Sequence, residues 1–243
     1  MARTPSTIKI DDRFCGPPDS ANGGYVCGTL ARLIDASPAE VILRLPPPLN
    51  RPLRVEPSGD GVRLLDHGRL IAQGSPTSGI EVEPPSPVTM EVAAQASRSS
   101  PLHGSHPFPT CFVCGPQRES GDGLRIVPGP VEGRDLVAAP WVPAPSLPVE
   151  GEAVAPEVCW AALDCPSGNA FMLLSDVGTA VLGQLTVRLD LPVRVGEPHV
   201  LVGWPLAREG RKVDSASALF SAEGRLAGIA RARWIELRTG ELS

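Results

Sequence analysis

The 243 residues suit one large domain or two small ones, with enough chain for a sizeable core. Apolar residues make up 42% and charged residues 20%, alongside 25 Gly and 28 Pro, which excludes a low-hydrophobicity disordered chain and a coiled coil. A balance of 22 Lys+Arg against 27 Asp+Glu, a formal charge of −5 and 4% aromatic residues argue against a nucleic-acid footprint, a polybasic membrane surface or a stacking platform for bases or sugars.

From the N-terminus, Met1 to Arg13 lacks the charged-then-apolar order of a signal peptide, and no run of 18 apolar residues follows anywhere, so a cytoplasmic, soluble protein is expected. The six cysteines (Cys15, Cys27, Cys111, Cys114, Cys159, Cys165) then read as free thiols or a metal pair, not as a disulfide framework. Asn22-Gly23-Gly24 opens an apolar segment from Tyr25 to Ile34, with Val26, Leu30 and Ile34 at helical spacing, which predicts a helix ending near Asp35. Strand-like runs follow at Glu40 to Leu45, Leu53 to Glu56, Gly61 to Leu65 and Arg69 to Ala72, separated by Ser58-Gly59-Asp60 and Asp66-His67-Gly68 turns.

The stretch from Glu83 to Pro109 is polar and Pro-rich and reads as a linker. It divides the chain into an N-terminal unit (1–95), a Pro/Ser-rich linker (96–110) and a C-terminal unit (111–243). The second unit opens with strands predicted at Gly123 to Val127 and Leu136 to Ala139. Pro156 and Glu157 suit a helix start, and that helix is expected to stop by Cys165, before Pro166 and Gly168. Gln184 to Leu191 alternates strictly, and further strands are predicted at His199 to Pro205, Val213 to Ser221 and Leu226 to Leu237.

Short matches recur in the same order after each predicted helix. Arg44-Leu45 returns as Arg188-Leu189, Gly68-Arg69-Leu70 as Gly224-Arg225-Leu226, and Ile80-Glu81-Val82 as Ile235-Glu236-Leu237. Two copies of one α+β unit are therefore expected, each a central helix packed on a curved antiparallel sheet.

These residues resemble the hotdog fold, in particular acyl-CoA thioesterases of the phenylacetyl-CoA thioesterase type. Cys111-Phe112-Val113-Cys114-Gly115 before Gly123-Leu124 matches a segment common in that family, and Asp164 with Gly168 falls where the family's central helix carries its Asp and Gly. The family's His-Gly-Gly helix opening is Ala155-Pro156-Glu157 in the C-terminal unit. The N-terminal unit keeps Asn22-Gly23-Gly24 but has Ala31 in place of the Asp. The resemblance thus implies a tandem double hotdog with one composite site between the units, made of Asn22, Gly23 and Gly24 from one and Asp164 from the other, and a degenerate site opposite.

Such a site has a clear chemical logic. Unsatisfied N–H groups of Gly23 and Gly24 at a helix N-terminus can polarise a thioester carbonyl, and a facing carboxylate can activate water or attack directly. Asp164 is the candidate carboxylate, with Gln184, Thr186, Glu157 and Tyr25 as candidate substrate contacts. The substrate implied is an acyl-CoA or another acyl thioester, with no cofactor, no nucleic-acid or membrane partner, and self-assembly left open. His103, His106, Cys111 and Cys114 have the ligand types of a zinc site, but buried free thiols are the default and no metal is assigned. A hydratase would need a histidine on a central helix, and His67, His103, His106 and His199 all fall outside both predicted helices. A non-catalytic acyl-CoA or lipid-acyl binder is the alternative from another class.

Overall fold

The computed structural model describes residues 6–34 and 36–238. Its strands are β1 (Thr7–Lys9), β2 (Ala39–Leu43), β3 (Pro52–Ser58), β4 (Gly61–Asp66), β5 (Arg69–Pro76), β6 (Gly129–Pro130), β7 (Val137–Trp141), the small hairpin β8 (Val149–Glu150) and β9 (Ala153–Val154), then β10 (Ala180–Leu189), β11 (His199–Glu209), β12 (Lys212–Ser221) and β13 (Leu226–Glu236). Among the described residues three α-helices accompany them: α1 (Gly23–Ala31), α2 (Met90–Arg98) and α3 (Pro156–Leu174). Eleven strands form one antiparallel sheet in the order β1-β3-β4-β5-β2-β10-β13-β12-β11-β7-β6.

The N-terminal and C-terminal strands form two contiguous blocks that meet at β2 and β10, where Ile42, Val41 and Glu40 sit opposite Gln184, Leu185 and Thr186. Outward from that join the orders are parallel: β2-β5-β4-β3-β1 on one side and β10-β13-β12-β11-β7 on the other. The Gly68 and Gly224 turns occupy the same place, linking β4 to β5 and β12 to β13, and both glycines have positive φ (82° and 78°), which a side chain would resist.

Helices α1 and α3 lie on one face of this sheet and share one core with it, containing Leu30, Val41, Leu64, Leu163, Leu185 and Leu219. Residues Glu157 to Phe171 of α3 are buried all round, so the helix needs no polar face. Alternate strand residues serve the opposite face. There Ala93 and Ala96 of α2 pack with Ala138, Val200, Val202, Ala218 and Phe220 as a second, smaller core.

Several expectations are corrected. Helix α3 runs through Pro166 instead of stopping by Cys165, although an internal proline costs roughly 3 kcal/mol. Tertiary contacts offset that cost: Ser217 donates to the Leu163 carbonyl and the Trp234 indole to Ser167, whose hydroxyl also donates locally to the Asp164 carbonyl. The Glu83–Pro109 stretch carries α2 and a short 3-10 turn at Pro101–His103, because two alanines suffice for a helix face closely pressed on the sheet. Gly123 to Val127 joins no ladder. It runs beside the cysteine turn, with the Leu124 and Ile126 N–H groups donating to the Phe112 and Val113 carbonyls. Ile80 to Val82 lies outside any strand, whereas its echo Ile235-Glu236 is in β13, and Arg44-Leu45 falls just past β2. Helix α1 ends at Ala31, and Asp35 lies outside the described residues. Among the described residues no helix is long and apolar enough to cross a membrane.

Candidate active site

Small residues bring α1 and α3 together. A methyl group added at Gly24 would collide with the Cβ of Asp164 and lie 3.0 Å from the Ala161 Cα, and one at Gly28 would lie 2.6 Å from the Glu157 Cα. Gly24 thus faces Ala161 and Asp164 while Gly28 faces Glu157 and Trp160, so the helices run antiparallel at close approach.

This approach builds the site around Asp164. The Gly24 N–H donates to Asp164 Oδ2 at 3.0 Å, and Asn22 Nδ2 donates to the same oxygen at 3.0 Å. Asn22 has two roles, because its Oδ1 also accepts from the Tyr25 N–H at 2.9 Å and so caps α1. The carboxylate therefore rests on the positive end of the α1 dipole. Asp164 is only 2% exposed, and its Oδ1 has no hydrogen-bond partner among the described residues. Burial pushes its pKa up to about 7; the Gly24 N–H and the Asn22 amide oppose the shift, and the Cys111 sulfur adds to it.

Aromatic rings enclose the α1 opening. Tyr25 stacks on Phe14 with centroids 3.9 Å apart, and Phe112 meets both edge-on. Burial and the charge of Glu157 raise the Tyr25 phenol above its ordinary range, so it stays neutral.

The related position at the other end of the helix pair is closed. Glu157 sits near the start of α3, whose Ala155 cap makes no side-chain hydrogen bond, and Arg32 donates to Glu157 Oε1 at 2.8 Å while also pairing with Glu150. Gln184 and Thr186 face away from the helices: both bond Glu40 Oε2, at 2.7 and 3.2 Å, while their neighbours Leu185 and Val187 enter the core. They line an outer groove of about 410 Å³ with Asp214, Arg231 and Arg233. The structure therefore brings Asn22 and Gly24 onto Asp164, leaves Gly23 against Leu182 and Leu43 and the Tyr25 ring against Phe14 and Phe112, and sets Glu157, Gln184 and Thr186 apart from it.

The zinc-type ligand set His103, His106, Cys111 and Cys114, weighed against free thiols and not assigned, is not assembled. His103 Nε2 meets the Ser97 carbonyl at 2.8 Å, and the sulfur that joins Cys111 and Cys114 is that of Cys165. Gly28 and Cys165 are the neighbours that sequence reasoning missed. The Gly24-x₃-Gly28 spacing, which places two glycines on one helix face, was a usable signal for the first. Only the position of Cys165 beside Asp164 pointed to the second.

No family model and no curated protein matches the sequence. Solved structures do match. One, provisionally described as a thioesterase II from Thermobifida fusca YX, is 17% identical, with 96% of this chain and 92% of that one aligned at a TM-score of 0.59. A conserved protein of unknown function with a hotdog fold from Alicyclobacillus acidocaldarius is 12% identical over 96% and 92% of the two chains, TM-score 0.58. The chain spans 59% of a third structure, a thioesterase superfamily protein, with 22% identity over 51% of its own length and a TM-score of 0.45. The fold is accordingly the hotdog fold over nearly the whole chain.

Proposed function

We propose that the chain comprises two fused hotdog units, 1–95 and 111–243, which together hydrolyse an acyl thioester such as an acyl-CoA at a single composite site. The repeated strand order outward from the β2–β10 join supports the two units. The observation that carries the chemistry is the buried Asp164 of α3, gripped through Oδ2 by Gly24 and Asn22 of α1.

In this reading Gly24 and Asn22 hold one carboxylate oxygen and leave Oδ1 to act. Asp164 Oδ1 takes a proton from water as the water oxygen bonds to the thioester carbon. The Gly23 N–H, at the first position of α1 and without a partner among the described residues, receives the developing oxyanion. Collapse breaks the C–S bond, and the proton held by Asp164 passes to the departing thiolate, giving acid and free thiol. Direct attack by Oδ1 on the carbonyl, through an anhydride that water then opens, uses the same positions. A pKa of about 7 suits a base working near neutrality. The six unpaired cysteines fit a reducing, cytoplasmic setting.

The test is release of free thiol from short-, medium- and long-chain acyl-CoAs, with hydrolysis expected in the wild type and lost in Asp164→Asn. A full rate in that variant, or no release from any substrate, would overturn the reading. The enclosure of Asp164, which borders neither outer groove of about 410 Å³, favours a second reading: a non-catalytic acyl-CoA binder, shown by thermal stabilisation without thiol release.

A further inference from the structure

Beside the carboxylate lies a cluster that hydrolysis does not use. The sulfurs of Cys111, Cys114 and Cys165 all fall within 4.8 Å of one another, and all three residues are buried. Cys111 and Cys165 are 3.8 Å apart at sulfur. That is the edge of a tetrahedron with metal–sulfur bonds of about 2.3 Å, which gives about 3.8 Å between sulfurs.

The backbone is shaped for the cluster. Cys111-Phe112-Val113-Cys114-Gly115 closes a tight turn in which the Gly115 N–H donates to the Cys111 carbonyl at 2.9 Å. A side chain at Gly115 would sit 2.6 Å from the Cys111 nitrogen, so only glycine fits. The Cys114 and Cys165 thiols and the N–H groups of Cys114 and Val113 direct hydrogen bonds at the Cys111 sulfur. Asn22 Nδ2 approaches the Cys111 and Cys165 sulfurs at 3.9 Å each. Three buried sulfurs packed within 4.8 Å of one another, with the Asn22 amide beside two of them, form a preassembled set of soft ligands for a cation.

We propose that Cys111, Cys114 and Cys165 bind a thiophilic divalent cation of the zinc class, which ties the cysteine turn to α3 beside Asp164. Binding replaces three thiol protons, released to solvent, with one dication, leaving a net charge of −1 that the Asn22 amide and the turn's N–H groups face. His106 is not counted among the ligands: its Nδ1 already accepts from the Phe108 N–H at 3.0 Å, and its buried Nε2 has no partner among the described residues. The fourth position falls to water or a small exogenous donor.

The test uses the full chain purified under a non-chelating reductant. Elemental analysis is expected to find about one zinc per chain. After stripping, cobalt(II) is expected to give tetrahedral ligand-field bands and a charge-transfer band of three-thiolate intensity, falling by about a third in Cys165→Ser and unchanged in Cys159→Ala. The wild-type titration decides even if Cys165→Ser fails to fold. A folded wild type with neither zinc nor a cobalt band, or a charge-transfer band unaltered in a folded Cys165→Ser, would overturn the site. None of these readouts depends on hydrolysis.

Discussion

Replacing Asp164 with Asn separates ionisation from shape. The amide keeps the volume and an oxygen for the Gly24 and Asn22 donors, but it cannot take a negative charge. In the folded protein burial raises the Asp164 pKa from 3.8 to about 7. A gap of about 3 units is worth about 4 kcal/mol, at about 1.4 kcal/mol each. Because the folded state keeps the proton that the unfolded chain has already lost, wild-type stability falls as pH rises from about 4 to about 7 and is then level. A cation held by three thiolates beside Asp164 would add net negative charge and leave that sign unchanged.

Asp164→Asn is therefore expected to match the wild type near pH 4 and to exceed it at pH 8. About 4 kcal/mol is the upper limit, and it already includes the Gly24 and Asn22 hydrogen bonds, which oppose the rise to about 7. Hydrolysis falls by about 10²- to 10⁴-fold, the worth of a general base. Urea unfolding followed by circular dichroism at pH 4.5 and pH 8, with thiol release on the same samples, measures both. A variant whose stability relative to the wild type does not rise with pH would refute the buried-charge reasoning, and one with undiminished turnover would refute the catalytic role.

Other changes bear on separate parts of the site. Gly28→Ala forces a methyl group against the Glu157 Cα 2.6 Å away and should cost about 1–3 kcal/mol by overpacking the helix pair, read from the urea midpoint. Asn22→Ala removes both the α1 cap, worth about 1 kcal/mol, and one donor to Asp164, so the acid limb of the kcat/KM profile should move to higher pH; a limb that stays in place counts against Asn22 as a positioning residue. Arg32→Ala leaves the largely buried Glu157 without its partner and should lower stability by about 1–2 kcal/mol, an estimate reduced for the 41% exposure of Arg32; unchanged thermal stability would show that water already satisfies Glu157.

Much of the site could be read along the chain. Asn22-Gly23-Gly24 announces a capped helix and Asp164 lies at the expected distance along the second one, but the Gly24 N–H expected to be free for a carbonyl is taken by Asp164 itself. The strands β10 to β13 were visible because alternation survives where a sheet buries one face. The misses share a cause. Pro166 signals a helix end when only local cost counts, and contacts from Ser217 and Trp234, distant in sequence, override it. The α2 stretch shows two small apolar residues among prolines and serines, and its helix is decided by the sheet face it covers. Gln184 and Thr186 lie on the polar face of a correctly predicted strand, but periodicity cannot say which face meets the helices.

By itself the sequence determined the local chemistry: caps, alternation, turn glycines and the residue types of a carboxylate site, all set by neighbours a few positions apart. Tertiary structure alone decided which of them meet. The pairing of Gly24 with Asp164 rests on two helices approaching more closely than side chains normally permit, and Cys165 meets Cys111 and Cys114 only because the cysteine turn folds back onto α3. That approach is a property of Gly24 and Gly28 against Glu157, Ala161 and Asp164 together, and neither segment encodes it alone.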